Sequence, residues 1–367
     1  MTVAVVGVGA QGERYLECLR EAGLAAIGVD VDGRQEHRSV ADVRSPGDVA
    51  TWVISSPAAT RLSTLREILD RAPAARVLVG QPVCAPSELD ALRDLVVARP
   101  RARVMADDVH AHSHALRSYT ALVHRLQVGD PVVRVAVEFS RHRRRDERGN
   151  RPVPDDVADE WFHLLPVARR LLSGQEYRQL LATPATLTDR YGRTDAAVLS
   201  GDSLLTLPAS AGRARVELAS SGSGVVHLPD LAPSAYAGEQ AGAYLAAGSI
   251  PRGSGFRYRV ARLDFASGRS AMLVFDPGSD GSDGSAGIAR RSGRRSRDVH
   301  QLVLTGGGES RRQVIREDLL RTALLTQLSE LGRPGGTGLR LLRLPEHRFL
   351  AGLAAVRRSE GPVAAAG

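Results

Sequence analysis

The chain opens on a short apolar run, Val3–Val6, which breaks at Gly7-Val8-Gly9-Ala10-Gln11-Gly12 before a helical pattern carries on to Gly23. A second apolar run, Ala25–Val29, ends at Asp30. Short apolar runs bounded by turn residues read as buried strands, and apolar positions three and four apart read as helices. By that rule the alternation continues with a strand over Asp48–Ser55, a helix over Ala59–Ala72, a strand over Arg76–Val79, a helix over Pro86–Ala98 and a strand over Ala102–Ala106. Ser87 and Glu88 open the last of these helices, and Pro100 follows its end. Strands separated by helices need crossover connections, which are right-handed and give a parallel sheet covered on both faces. This first domain is expected over residues 1–120.

Beyond it the period changes. Val133, Val135, Val137 and Phe139 alternate with polar neighbours across Pro131–Ser140, as in a half-buried strand, and a polar stretch follows to Asp156. A helix is expected from Val157 to Leu172, stopped by Ser173-Gly174. Ala196–Leu207, Ala214–Ala219, Arg257–Phe265, Ala271–Phe275 and His300–Leu304 then read as strands of a large, mostly antiparallel sheet. Residues 121–358 are thus expected to form an α+β domain. Within it Gly278–Arg297 is too polar to pack and is expected to be a mobile loop. Ser310–Leu331 is amphipathic and reads as one helix, Pro345–Arg357 as a short last one, and residues 359–367 as a disordered tail. An open sheet face needs cover, so a homo-oligomer, a dimer or tetramer, is expected.

The break after the first strand carries chemistry. In a strand–turn–helix unit of the form G-x-G-x-x-G, the first glycine permits the tight turn and the second lets the backbone approach a pyrophosphate. The third brings helix and strand together, so that phosphate sits on the positive end of the helix. Gly7, Gly9 and Gly12 stand in those places with Ala10 and Gln11 between them, and Asp30 stands where an acid would bind the adenosine ribose. The first domain is therefore read as Rossmann-type and the chain as α/β. Val31 and Asp32 follow Asp30 in place of an arginine that would accept a 2′-phosphate, which favours NAD(H) over NADP(H).

Composition narrows the field further. A length of 367 residues suits two domains with separate cores. The net charge of +8 raises the question of nucleic acid, but aromatic residues make up only 4% of the chain. Its arginines are scattered apart from two clusters, Arg141 with Arg143–Arg145 and Arg290–Arg297, which read as solvated loops, so no nucleic-acid partner is expected. No lysine occurs anywhere, which excludes a Schiff-base lysine, a pyridoxal phosphate anchor and a Walker-type phosphate lysine. Cys18 and Cys84 form neither a disulfide framework nor a metal-ligand spacing, and no metal site is expected. Without a charged leader or a long apolar stretch, a cytoplasmic protein with no membrane association is expected.

With these residues in order, the chain resembles the glucose-fructose oxidoreductase, inositol dehydrogenase and rhizopine-catabolism family, known as Gfo/Idh/MocA. The resemblance rests on the three glycines, Asp30, and Ser55-Ser56-Pro57 where the family often has Thr-Pro. It rests also on Gly80-Gln81-Pro82 at the family's Glu-Lys-Pro, and on Asp159-Glu160-Trp161-Phe162-His163 at its Asp-x-x-x-His helix. It implies an oxidoreductase acting on a small polar substrate such as a sugar, cyclitol, amino sugar or derived ketone or imine. It also implies a cofactor contact for Ser55, Ser56, Pro57, Gln81 and Pro82, and a catalytic role for Asp159, His163 and the residue at position 81. One helical turn would put Asp159 and His163 on one face, where His163 could exchange the substrate proton and Asp159 could orient the substrate or His163 and stabilise an imidazolium. The departure is at position 81, because Gln81 donates a hydrogen bond but cannot carry a proton at neutral pH.

Further candidates lie near the fifth strand. Asp108, His110 and His112 are expected near the substrate, and an extended backbone there would bring His110, His112 and His114 to one side. Trp161 could wall the pocket. Arg61, four residues after Pro57 where the family commonly has a histidine near the cofactor, could contact an acidic substrate group or face solvent at a helix surface, and solvent is the expectation. Two other functions stay open beside the oxidoreductase: a dinucleotide-binding sensor or inactive partner subunit, favoured by Gly80 and Gln81, and a net non-redox reaction around tightly held NAD.

Overall fold

The computed structural model describes residues 1–141, 160–182, 203–207, 214–221, 226–231, 257–276, 298–334 and 341–359. The polar tract over 278–297, the tail over 360–367 and Asp159 lie outside the described residues. The chain forms two compact units, Met1–His112 with Leu320–Ala351, and Ser113–Leu319 with Gly352–Gly367. The pattern of apolar residues placed a single cut near residue 120. Instead the chain returns to the first unit, because a late helix completes its core.

In the first unit, five strands, β1 (Thr2–Val6), β2 (Ala25–Val29), β3 (Val49–Ile54), β4 (Arg76–Val79) and β5 (Arg103–Ala106), pair in parallel in the order β2-β1-β3-β4-β5. The connecting helices are α1 (Ala10–Glu21), α2 (Ala58–Arg71) and α3 (Leu89–Val97). Successive strand residues point to opposite faces. Accordingly Ala4, Trp52, Ile54, Val77 and Val104 share one core with Leu62, Leu65 and Leu69 of α2 and Leu92 of α3. Val3, Val5, Val53, Leu78 and Met105 share the other with Tyr15, Leu16 and Leu19 of α1. That second core is closed by Leu324, Leu328 and Leu331, and so draws the C-terminal chain back.

The second unit is built on seven strands: β6 (Val132–Arg141), β7 (Ser203–Leu207), β8 (Arg215–Ser221), β9 (Arg257–Phe265), β10 (Ser270–Phe275), β11 (Val299–Gly306) and β12 (Glu309–Arg316). They lie in the order β12-β11-β10-β9-β6-β8-β7. All pair antiparallel except β6 with β8, which run parallel. Helix α4 (His114–Gln127) rests on this sheet, with the Tyr119 hydroxyl donating to the Ala271 carbonyl at 2.9 Å. Helices α5 (Trp161–Leu171) and α6 (Gly174–Ala182) follow β6. Val226, Leu228 and Leu231 pack on Ala136, Val260, Met272 and Val303, so part of one sheet face is covered by the chain itself.

One element differs from the sequence reading. Ser310–Leu331 is not a single helix: its first part is β12, and only Leu319–Gly332 is helical, here α7, with α8 (Leu344–Ser359) after it. Gly307 and Gly308, at φ +61° and +81°, turn the chain back on itself so that β12 zips onto β11. As an edge strand β12 leaves Arg311, Arg312 and Arg316 exposed, and the arginine-rich pattern mimics the polar stripe of a helix.

Two buried histidines make stability depend on pH. His300 on β11 is sealed between Asp276, with Nδ1 3.8 Å from its Oδ1, and Glu317, with Nε2 3.4 Å from its Oε1. Burial lowers its pKa from 6.5 to about 4, against the pull of Glu317, and burial does the same to His347 on α8. Both are neutral in the fold, whereas the unfolded chain takes up a proton below pH 6.5. The unfolded state therefore binds more protons between pH 6.5 and 4, and stability falls as pH falls through that window. For His300 the expected loss is about 3 kcal/mol. Urea unfolding of the native protein and of His300→Gln across pH 4 to 7 checks this; equal pH slopes for the two would refute it.

Candidate functional site

The carboxyl ends of β1, β3, β4 and β5 meet at one edge of the first unit, where ligands of such sheets bind. Two of the three glycines after β1 are required by packing. Gly7 has φ +86°, and a Cβ on it would lie 2.4 Å from the Ser56 nitrogen, while a Cβ on Gly12 would lie 2.2 Å from the Gly7 carbonyl oxygen. Gly9 is different, since a Cβ there would meet nothing within 4 Å. It is the N-cap of α1, beside the first-turn amides of Ala10 and Gln11, and has no side chain to cover them. Open space at a helix start whose N-cap is a glycine is the form of an anion cradle.

Side chains brace this turn from two directions. Asp30 accepts the Val8 N–H on Oδ2 at 2.5 Å and the Asp32 N–H on Oδ1 at 3.1 Å, so the acid at the end of β2 is held against the glycine turn. Ser55 donates its N–H to the Val6 carbonyl at 2.8 Å and its hydroxyl to the Gly7 carbonyl at 2.6 Å. Ser56 is buried against Gly7, and Pro57 starts α2.

After β4 the chain runs through Gly80, whose N–H donates to the Ile54 carbonyl at 2.8 Å, into a cis Gln81–Pro82 bond. Gln81 Nε2 donates to the backbone carbonyl of Asp107 at 2.5 Å, tying β4 to β5. Arg61 does not simply face solvent. It is partly buried, donates Nε to the Ser56 carbonyl at 2.8 Å and Nη1 to the Pro82 carbonyl at 2.6 Å, and fills the space beside Gly80, where a Cβ would sit 3.2 Å from its Cζ. Burial lowers its pKa, while Tyr15 and Asp107 nearby raise it.

Beneath these residues runs a polar chain, buried from Tyr15 onward, that the sequence did not announce. Gln11 Nε2 donates to the Tyr15 hydroxyl at 2.7 Å, and that hydroxyl donates to Asp107 Oδ2. Gln327 of α7 donates Nε2 to Asp107 Oδ1 at 3.0 Å and accepts the Asp108 N–H at 2.7 Å. Burial raises the pKa of both Asp107 and Tyr15. The spacing of Gln11 and Tyr15, one helical turn apart, and the paired acids after β5 were visible signals; Gln327, far along the chain, was not.

The stretch after β5 is not extended. His110–His112 is a 3-10 turn, fixed by the Ala111 N–H donating to Asp108 Oδ1 at 3.3 Å, so alternation does not bring His110, His112 and His114 to one side. His110, His112 and Asp108 are buried, whereas His114 is exposed. Among the described residues no three His, Cys, Asp or Glu side chains gather as metal ligands. In the second unit, α5 begins at Trp161, which is fully buried, and His163 on its first turn is half-buried. Its N–H donates to the Glu160 carbonyl at 3.0 Å.

Comparison with known proteins places the fold. No protein-family model and no curated protein sequence matches the chain. Solved structures do match over nearly the whole length. A 3-ketoreductase from Actinomadura kijaniata, KijD10, in complex with NADP aligns at 10% identity over 98% of this chain and 97% of its own, with a TM-score of 0.56. The UDP-N-acetylglucosamine 3-dehydrogenase GnnA from Acidithiobacillus ferrooxidans aligns at 13% identity over 98% and 97%, with a TM-score of 0.53. At such identities the likeness is one of fold: a Rossmann-like parallel sheet with a second, mostly antiparallel sheet, as found in these two oxidoreductases.

Proposed function

We propose that this protein is a nicotinamide-dinucleotide oxidoreductase of the Gfo/Idh/MocA type acting on a small polar substrate, a sugar or a related ketone or imine. The observation that carries the reading is the open cradle at Gly9 beside packed Gly7 and Gly12, with Asp30 held against it. Gly9 needs no side chain removed for the sake of the fold, so its place is explained by a pyrophosphate lying against the backbone. Gly7, Gly9, Ala10, Gln11, Gly12 and Asp30 would hold the dinucleotide, with Ser55, Ser56, Pro57, Gln81 and Pro82 along its nicotinamide half. The bound cofactor supplies hydride transfer. KijD10, a 3-ketoreductase, and GnnA, a UDP-N-acetylglucosamine 3-dehydrogenase, share the fold, and the second acts on a nucleotide sugar by its name.

The chain's own residues handle the proton. His163 accepts it from a substrate hydroxyl in oxidation or returns it in reduction, with Asp159 orienting the imidazole. Gln81 positions rather than titrates, since a carboxamide carries no proton at neutral pH and one of its N–H groups is held by the Asp107 carbonyl. That same bond favours a second reading, a dinucleotide-binding sensor or partner subunit without turnover.

Cofactor choice separates this chain from the NADP complex of KijD10. A carboxylate at the end of β2 welcomes two ribose hydroxyls and repels a 2′-phosphate. Fluorescence titration is expected to show NADH binding at least about tenfold tighter than NADPH, a difference of about 1.4 kcal/mol. Asp30→Ala is expected to lose that preference. Tighter NADPH binding would overturn the NAD assignment, and no binding of either would overturn the dinucleotide reading. A homo-oligomer is part of the same proposal and is read by sedimentation.

A further inference from the structure

Arg61 presents N–H donors that the described fold leaves unused. Its guanidinium carries five N–H donors, of which Nε and Nη1 each serve one backbone carbonyl. Nη2 bonds to no described residue and is not among the polar atoms sealed from solvent. Arg61 forms no contact ion pair among the described residues: the Asp107 carboxylate is near enough to raise its pKa but accepts its hydrogen bonds from Tyr15 and Gln327. A partly buried guanidinium with donors left over and no carboxylate in contact, at the ligand-binding edge of a sheet, points to an anion supplied from outside. Position 80 fits that use, because glycine there makes the room that the guanidinium occupies.

We infer that Arg61 is an anion-binding residue of this site and that the substrate carries a carboxylate, a sugar acid rather than a neutral sugar. The inference rests on the oxidoreductase reading for the word substrate, but the binding itself does not. Arg61 bridges the ends of β3 and β4 through Ser56 and Pro82, whereas the cradle for the cofactor's phosphates follows β1. Ser56 and Pro82 are read here along the nicotinamide half, so an anion at Arg61 would lie beside the reacting end of the cofactor and apart from the phosphate cradle, where a second molecule binds. A guanidinium suits a planar carboxylate, which it meets with parallel N–H bonds that an ammonium cannot reproduce.

The test is calorimetric titration with D-glucuronate, D-gluconate and oxalate against the uncharged D-glucose and D-sorbitol, run with and without saturating NADH. The native protein, Arg61→Met and Arg61→Lys are compared. At least one carboxylate is expected to bind the native protein tenfold or more tighter than the neutral sugars. Arg61→Met is expected to abolish that preference and Arg61→Lys to keep part of it, while NADH affinity changes less than threefold in either. Equal affinity for charged and neutral probes, no binding of any carboxylate, or a preference that survives Arg61→Met would overturn the inference. So would a tenfold loss of NADH affinity in Arg61→Met, which would assign the charge to the cofactor. If NADH fails to bind the native protein, the dinucleotide reading falls, and the titrations without NADH still decide the role of Arg61.

Discussion

Replacing Gly12 by alanine is expected to cost about 3 kcal/mol of stability, whereas replacing Gly9 by alanine should leave the fold nearly intact and abolish tight cofactor binding. The asymmetry follows from what each new methyl group meets. At Gly12 it would lie 2.2 Å from the Gly7 carbonyl oxygen and 2.9 Å from the Ser55 hydroxyl. Both belong to a turn braced by hydrogen bonds, so neither can move without loosening Asp30 or β3. At Gly9 the methyl enters open space on a backbone with φ −77°, which alanine adopts freely. The remaining cost is that of a poorer helix start, about 1 kcal/mol at most. The same methyl stands where a pyrophosphate would touch the backbone, so NADH affinity should fall about 30-fold, or about 2 kcal/mol. Urea unfolding and NADH titration of both variants give the check. If Gly9→Ala binds NADH like the native protein, the cradle is architectural only.

Much of this site was legible because its chemistry is local. The glycine turn, Asp30 and Ser55-Ser56-Pro57 are fixed by a strand end and the residues next to it, and apolar runs mark strand ends plainly. Arg61 was misjudged because a helix position reads as exposed when its cover comes from elsewhere; here the cover is the β4 end, reached through the Pro82 carbonyl. Residues 310–316 were read as helix because an edge strand with both faces exposed has no alternation to reveal it. The cut at residue 120 misses that α7 belongs to the first unit for a related reason. A helix's apolar stripe tells that it packs, and not on which sheet, and Gln327 reaching Asp107 is a contact that no local pattern encodes. The pairing of His163 with Asp159 stays a reading from the resemblance, since Asp159 lies outside the described residues.

The start of the His163 helix depends on a second interaction that spacing could not show, and its removal should have the largest effect on stability of any single change in the second unit. Glu160 ends the approach to α5, and its carbonyl accepts the N–H groups of His163 and Leu164. Its carboxylate takes Arg259 of β9 on Oε2, from Nε at 3.1 Å and Nη2 at 2.8 Å, with both side chains under 5% exposed. The guanidinium also lies 5.4 Å from the centre of the Phe139 ring on β6, a cation–π contact that depends on the same placement. Removing one partner of a buried pair strands the other charge without water, which costs about 3–5 kcal/mol, far more than the pair contributes relative to two apolar groups. Arg259→Met is therefore expected to destabilise the protein by that amount. Pairing it with Glu160→Leu should restore most of the loss, because the stranded carboxylate is gone. Denaturant unfolding of the two single variants and the double variant closes the cycle. Simple additivity of the single losses would show that Glu160 and Arg259 act separately, and that the fold holds the first turn of α5, and His163 with it, by packing alone.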